Sequence, residues 1–443
     1  MTATDTAGAA DREAVPELRG DYTADAAATA AFLASVEDRV DTEGGTDRPP
    51  THDPLRVAAR LARRRFVERH ADRLHTELTD GRRAFPRLDD LAAAAAREVP
   101  GLAPTKEQLE AERQRPQREK VGREIDHGIL FWGLLRSPLA GRHLMEAMRR
   151  PTPRALAALS GFRATGRADL TTVTVERRGG IGEVTVNNAA FLNAEDDLLV
   201  GALETAVDLV LLDDSIRVGV MRGAPMTHPR YTGRRVFSAG INLTRLYQGQ
   251  ISLIDFFLTR ELGYIHKIQR GLSVPDDGRD WWPEPVEKPW IAAVDTFAIG
   301  GGAQICLVFD RVIATDEAYF TLPALREGII PGAANLRLPR VAGGRLSRQA
   351  IYADRRIDAA SPEGRLLCDE TVPHTGMASA IEAAADGLAA PAVINNRRVL
   401  HAHEEPEEEL RCYLARYAVE QSRRLHSPDL VENLERTWIS RSR

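Results

Sequence analysis

Three consecutive glycines, Gly300, Gly301 and Gly302, follow an apolar run (PWIAAVDTFA, 289–298) and precede a helical one (AQICLVFD, 303–310). Glycine tolerates backbone conformations that a Cβ forbids, so such a strand-to-helix turn lets a ligand or a second stretch of chain come close. The helix beyond it presents unpaired N–H groups and the positive end of its dipole. A second small-residue segment, Ser238-Ala239-Gly240 within VFSAGINL (236–243), keeps the backbone clear before Ile241. Two such N–H groups converging on one oxygen make an oxyanion hole, which stabilises an enolate or a tetrahedral oxyanion. Alone, the glycine turn is equally compatible with tight packing or a loose phosphate loop. It is not a dinucleotide fingerprint, because Ile305 stands where GxGxxG needs its third glycine.

The surrounding texture predicts an α/β fold. TTVTVERRGGIGEVTV (171–186) alternates apolar and polar residues across a Gly-Gly turn, a hairpin signal. A helix (LLVGALETAVDLVLLD, 198–213), a buried strand (RVGVMRG, 217–223) and a last short strand (RVIATD, 311–316) complete a layered core. Before it, apolar residues recur at helical spacing in 55–78 and 87–99, and 129–148 is the most apolar stretch of the region. A chain of 443 residues exceeds one core of usual size. The expected organisation is a disordered 1–20, a helical N-terminal domain over 21–168 interrupted by a linker at 41–54, a core over 169–345, and a helical, charged region over 346–443 that packs on the core or a neighbouring subunit. No run of about 18 apolar residues predicts a membrane span. The first residues lack a secretion signal, and three cysteines (Cys306, Cys368, Cys412) suit a reducing cytoplasm. A net charge of -5 gives no reason to expect nucleic acid.

Read in order, the hairpin, the Asn193-Ala194 pair, FSAGINL, EKPWIAAVDTFAIGGGAQICLVFDRVIA (287–314) and AYFTLPALREGIIPGAANLRLPRVAG (318–343) resemble the crotonase (enoyl-CoA hydratase/isomerase) superfamily. The resemblance implies a ββα spiral core and a CoA thioester substrate. It also implies an oxyanion hole made by the N–H groups of Ile241 and Gly301, with Gly240, Gly300 and Gly302 against the substrate, and trimers, often paired into hexamers. The departures are informative. Where hydratases of the family carry two glutamates, this chain has Gln304 and, after Pro323, Ala324. Hydration needs a paired acid and base, and an amide and a methyl group cannot move those protons.

With the long helical N-terminal region and the stretch 234–272, these departures resemble the branch of the superfamily that oxidises an arylacetyl-CoA with no metal and no organic cofactor. That likeness implies (3,5-dihydroxyphenyl)acetyl-CoA and O2 as substrates, and 3,5-dihydroxyphenylglyoxylate and CoA as products, in antibiotic biosynthesis. It places Glu195 and Arg260 on the dihydroxyphenyl ring. It makes Leu243, Ala324 and Ile329, with Ile241, Leu325 and Ile330 nearby, a dry pocket for oxygen, although for any one of them alone an ordinary core residue is the better reading. Gln304 either donates to the peroxide or thioester or merely holds the turn. No residue is signalled as the base for the α-proton. Glu327, one helical turn past the usual glutamate position, is expected to point elsewhere. HAHEE (401–405) is expected to be solvated rather than a metal site, Lys288 is a weak candidate for the CoA phosphates, and Trp281-Trp282 a packing anchor. Two other readings stay open: a hydratase, isomerase or thioesterase acting on another acyl-CoA, with Glu327 as a displaced acid, and a catalytically dead CoA-binding scaffold.

Overall fold

The computed structural model describes residues 15–43, 53–275 and 281–437. Of the expected disorder over 1–20, residues 1–14 lie outside the described residues, as does most of the expected linker; residues 15–20 are placed, the Arg19 and Gly20 N–H groups each donating to Asp25 at 2.8 Å. Seven helices come first: α1 (Tyr22–Glu43), α2 (Pro54–Leu78), α3 (Leu88–Glu98), α4 (Lys106–Arg113), α5 (Arg123–Arg136), α6 (Pro138–Arg149) and α7 (Pro153–Thr165). Asp53 caps α2 by accepting from the Arg56 N–H at 3.0 Å, with Pro54 pre-set for the first turn. α5 is apolar on most sides because it is surrounded. Leu130, Phe131, Leu134 and Leu135 are all fully buried.

Strands β1 (Arg167–Asp169), β2 (Val173–Arg178) and β3 (Ile181–Val186) form an antiparallel ribbon, the expected hairpin being β2–β3. After α8 (Asp197–Leu212), strands β4 (Val218–Gly223), β5 (Trp290–Val294), β7 (Arg311–Thr315) and β10 (Glu370–Val372) extend it in parallel. β6 (Phe297–Ile299), β8 (Tyr319–Thr321) and β9 (Ile357–Asp358) make a second, small sheet. The single strand expected over 289–298 is thus two. The break falls at Asp295, whose carboxylate takes Arg222 at 3.0 Å and whose carbonyl takes the Thr315 hydroxyl at 2.9 Å.

Between β4 and β5 run α9 (Leu243–Tyr247), a wide-turned helical stretch over 253–265, and α10 (His266–Arg270). Helices α11 (Gly301–Ile305), α12 (Ala324–Glu327) and α13 (Ala334–Tyr352) border the site, and α14 (Met377–Leu388), α15 (Pro391–Glu404), α16 (Glu407–Leu425) and α17 (Pro428–Thr437) follow. The region after 346 is therefore not only helical, since β9 and β10 join the two sheets. Its long helix α16 lies along α5 of the same chain. One apolar cluster runs from α2 and α5 through α8 to the sheet and α16. Buried charge also ties the helices to the core: Lys267 of α10 meets Asp208 at 2.7 Å and Glu204 at 2.9 Å, and Arg87 reaches the same Glu204 at 2.7 Å. No single helix among the described residues is long and apolar enough to cross a membrane.

Candidate active site

The break at Asp295 delivers the triple glycine to its partner. Leaving the large sheet, β6 runs beside Ser238, with a parallel bridge between Ser238 and Ala298 and the Ile299 N–H donating to the Ser238 carbonyl at 3.0 Å. The two glycine segments therefore touch. A Cβ on Gly240 would lie 3.0 Å from the Ile299 carbonyl oxygen, and both Gly240 (φ 85°) and Gly300 (φ 53°) hold backbone that favours glycine. Glu195 clamps the first segment by its main chain: its N–H donates to Gly240 at 2.7 Å and its carbonyl accepts from Asn242 at 2.8 Å. The buried Asn193 secures that loop, its side-chain amide donating to Val236 at 2.7 Å. The N–H groups of Ile241 and Gly301 donate to no acceptor among the described residues, and both residues line one cavity. Two free donors beside one space are what an oxyanion requires.

Behind the turn lies a buried polar network. Arg260 donates to Glu195 (2.7 and 3.1 Å), Glu261 (3.1 Å), the Gly301 carbonyl (2.7 Å) and the Gln304 side-chain oxygen. Tyr264 adds a bond to Glu195 at 2.9 Å, and the Gln304 amide donates to Glu261 at 2.7 and 2.9 Å. Arg337 stands 3.6 Å from Glu261 and pairs with Glu405 at 2.9 Å. All five guanidinium N–H groups of Arg260 are thus spent on protein oxygens. The direct donation to a phenol expected of it would require one of those bonds to break. Gln304 is similarly occupied at both ends of its amide, which fits the turn-holding alternative.

The cavity is bounded by Ile241, Phe256, Phe257, Gly300, Gly301, Ala324, Ile329, Ile330 and Tyr417, with a free volume of about 30 Å³. That is the scale of a diatomic gas or a water or two, so an aryl ring enters only if the wall opens. Of the residues expected around an oxygen pocket, Ala324 and Ile329 line this cavity. Leu243 is half-buried at the start of α9 and is not among the lining residues, and Leu325 is 61% exposed. Neither belongs to this cavity. α16 closes one side, its Gln421 accepting from the Ile330 N–H at 3.0 Å and Tyr413 donating to the Gly332 carbonyl at 2.5 Å.

Other expectations need correcting. Glu327 does not point away. α12 is a single turn, so positions 324 and 327 share a face, and both line the cavity. Its carboxyl lies 3.8 Å from where a Cβ on Gly300 would sit, and burial, opposed by Arg326 and reinforced by Asp354, pushes it up to about 8. Lys288 is buried and caps the Val210 and Asp213 carbonyls at 2.7 and 2.6 Å, so it is structural. Trp281 and Trp282 are exposed at 91% and 64%, so neither ring is packed into the core. HAHEE is not simply solvated: Glu405 is buried against Arg337, and His401 faces the Gln269 carbonyl at 2.9 Å. Among the described residues no three His, Cys, Asp or Glu side chains converge as metal ligands.

The enoyl-CoA hydratase/isomerase family profile matches residues 282–415. A (3,5-dihydroxyphenyl)acetyl-CoA 1,2-dioxygenase from Amycolatopsis orientalis is 50% identical over 408 residues, covering 90% of this chain and 93% of its own. A short-chain-enoyl-CoA hydratase from Clostridium acetobutylicum is 28% identical over 193 residues, 43% of this chain and 65% of the relative. Among solved structures, enoyl-CoA hydratases from Mycobacterium avium subsp. paratuberculosis and Bacillus halodurans superpose with TM-scores of 0.50 at 22% and 20% identity. Each covers 60% of this chain, and 99% and 100% of its own chain, respectively.

Proposed function

Since the chain belongs to the crotonase (enoyl-CoA hydratase/isomerase) family, alongside a dioxygenase with which it shares 50% identity, we propose that it converts (3,5-dihydroxyphenyl)acetyl-CoA and O2 to 3,5-dihydroxyphenylglyoxylate and CoA. One observation carries the chemistry. The two oxyanion donors are free beside a mostly apolar space, while the places of the hydratase carboxylates hold Gln304, tied into the network, and Ala324. An enolate formed here has no acid–base pair to direct water onto a double bond.

In this reading the thioester oxygen sits on the N–H groups of Ile241 and Gly301, which lowers the cost of removing an α-proton already acidified by the aryl ring and the thioester. The enolate then passes one electron to O2, and recombination of the two radicals forms a C–O bond, leaving a peroxide anion on the α-carbon. The terminal peroxide oxygen attacks the thioester carbonyl and expels the CoA thiolate. Breaking the O–O bond while the second α-proton leaves gives the keto group and the carboxylate. The substrate supplies every electron, so a metal- and cofactor-free reaction is coherent. The protein's share is position and preorganised dipoles.

An oxygen electrode tests the proposal. Chelator-treated protein mixed with the thioester should consume one O2 per CoA released. Unchanged oxygen with a hydrated, isomerised or simply hydrolysed product would favour another crotonase chemistry, and binding without turnover a scaffold. Ala324→Leu should fill the gas-sized space and slow oxygen consumption by about tenfold or more, with anaerobic thioester affinity held within about twofold. Equal loss of both would remove the pocket reading. The same family reading carries a homo-oligomer, trimer or hexamer, in a reducing cytoplasm, with no nucleic-acid partner. Cys306, Cys368 and Cys412 are all free thiols.

A further inference from the structure

We propose that Glu327 is the base that takes the α-proton, a role that rests on the enolate reading of this site. Three carboxyls approach the cavity, and two of them are committed. Glu195 is held by Arg260 and Tyr264, and Glu261 by Arg260, Gln304 and Arg337. Both oxygens of each of these carboxylates are thereby engaged by protein donors. Among the described residues the Glu327 side chain makes no hydrogen bond or ion pair inside the cavity. Its nearest cation, Arg326, is paired at 3.8 Å with Asp354 on the outer side of α12.

Position supports the same assignment. A thioester oxygen resting on the Ile241 and Gly301 N–H groups puts the carbonyl carbon against the Gly300–Gly301 turn, and the α-carbon is one bond further. The Glu327 Oε2 stands 3.8 Å from where a Cβ on Gly300 would sit, and Glu327 lines the same cavity as Ile241 and Gly301. Proton transfer is efficient when the base approaches the acid in strength, and burial moves this carboxyl the right way, up to about 8. The charged groups around it are few. Arg326 and Asp354 lie outside, Arg424 of α16 is turned to the Gly328 carbonyl and Asp429, and Arg260, Glu261 and the Tyr417 hydroxyl lie across the cavity.

The protons balance. The Glu327 carboxylate takes the first α-proton as the C–H pair becomes the enolate double bond and the carbonyl pair moves onto oxygen. The resulting acid protonates the departing CoA thiolate, which restores the carboxylate. It then takes the second α-proton as the O–O bond breaks, and releases that proton to solvent to reset. One acidic group serves both deprotonations and the leaving group.

The test is anaerobic. Wild-type protein in D2O should place deuterium on the α-carbon of (3,5-dihydroxyphenyl)acetyl-CoA, at a rate that rises with pH and levels near 8. Glu327→Gln should keep thioester affinity yet exchange at least about 10²-fold more slowly, with that pH limb gone. Because the folded-state value lies above the ordinary 4.5, wild type should lose more stability than the variant as pH rises from about 4.5 to about 8, the raised Asp197 being common to both. Exchange in Glu327→Gln within about threefold of wild type, with the same pH profile, would overturn the assignment. Should the Gln variant fold poorly, Glu327→Ala with added formate replaces it: restored exchange supports the base, and a folded variant that formate does not rescue counts against it. The two readings separate cleanly. Glu327-dependent exchange without oxygen uptake sinks the dioxygenase proposal alone, whereas oxygen uptake indifferent to Glu327→Gln sinks this one alone.

Discussion

Gly301→Ala should abolish measurable oxygen consumption, with a loss of at least about 10³-fold, while the protein stays folded. A single oxyanion donor is worth about 10²- to 10³-fold when removed, and this change disturbs more than one group. The backbone at Gly301 is not left-handed, so alanine is conformationally acceptable there. The obstacle is contact. A Cβ would lie 2.9 Å from the Arg260 Nη2 and 2.9 Å from the Glu195 Oε1, and both atoms are fixed by charged bonds. Either the turn retreats, and its N–H leaves the oxyanion, or the Arg260–Glu195 pair opens. Anaerobic deuterium exchange should fall with oxygen consumption, because the enolate itself is lost. A variant that exchanged normally but failed to consume oxygen would show that Gly301 does not hold the thioester oxygen.

Arg260→Ala should destabilise the fold by about 3–5 kcal/mol, the usual cost of stripping one partner from a buried charge network. Glu195 and Glu261 are each 3% exposed or less, and without the guanidinium the Gly301 carbonyl and the Gln304 oxygen also lose a donor. Lysine should not rescue the variant, since an ammonium cannot present five N–H groups in a planar fork. Replacing Arg260 and Glu195 together by leucine should recover part of the loss, because no unpaired charge then remains on that side. Urea unfolding of the variants reads these differences directly. If Arg260 met only the substrate ring, Arg260→Ala would instead leave stability intact and relax discrimination against plain phenylacetyl-CoA.

The parts legible in the sequence were those that depend on local composition. The β2–β3 hairpin announces itself by alternation across Gly179-Gly180, and the oxyanion segments by small residues before Ile241 and around Gly301. The missing glutamates were legible as well, since Gln304 and Ala324 stand at fixed offsets from the glycine turn and Pro323. Less visible was the splitting of 289–298 into β5 and β6, because Asp295 marks a break only through Arg222 and Thr315, which lie far away in the chain. β8, β9 and β10 are two or three residues each and too short for any periodicity to register.

The site shows the same division. The sequence does carry a signal for Glu327: with Ala324 on the cavity wall, three residues further along one helical turn is the same face. Nothing local told that Arg260 would spend every donor on Glu195, Glu261, Gln304 and Gly301, or that α16 would return along α5 to close the cavity. By itself the sequence determined which backbone can bend tightly, which side chains can carry a proton, and which cannot. Tertiary packing alone decided which of those groups meet, because residues from 41 to 276 places apart are brought within bonding distance by the burial of apolar faces, and spacing along the chain carries no record of that.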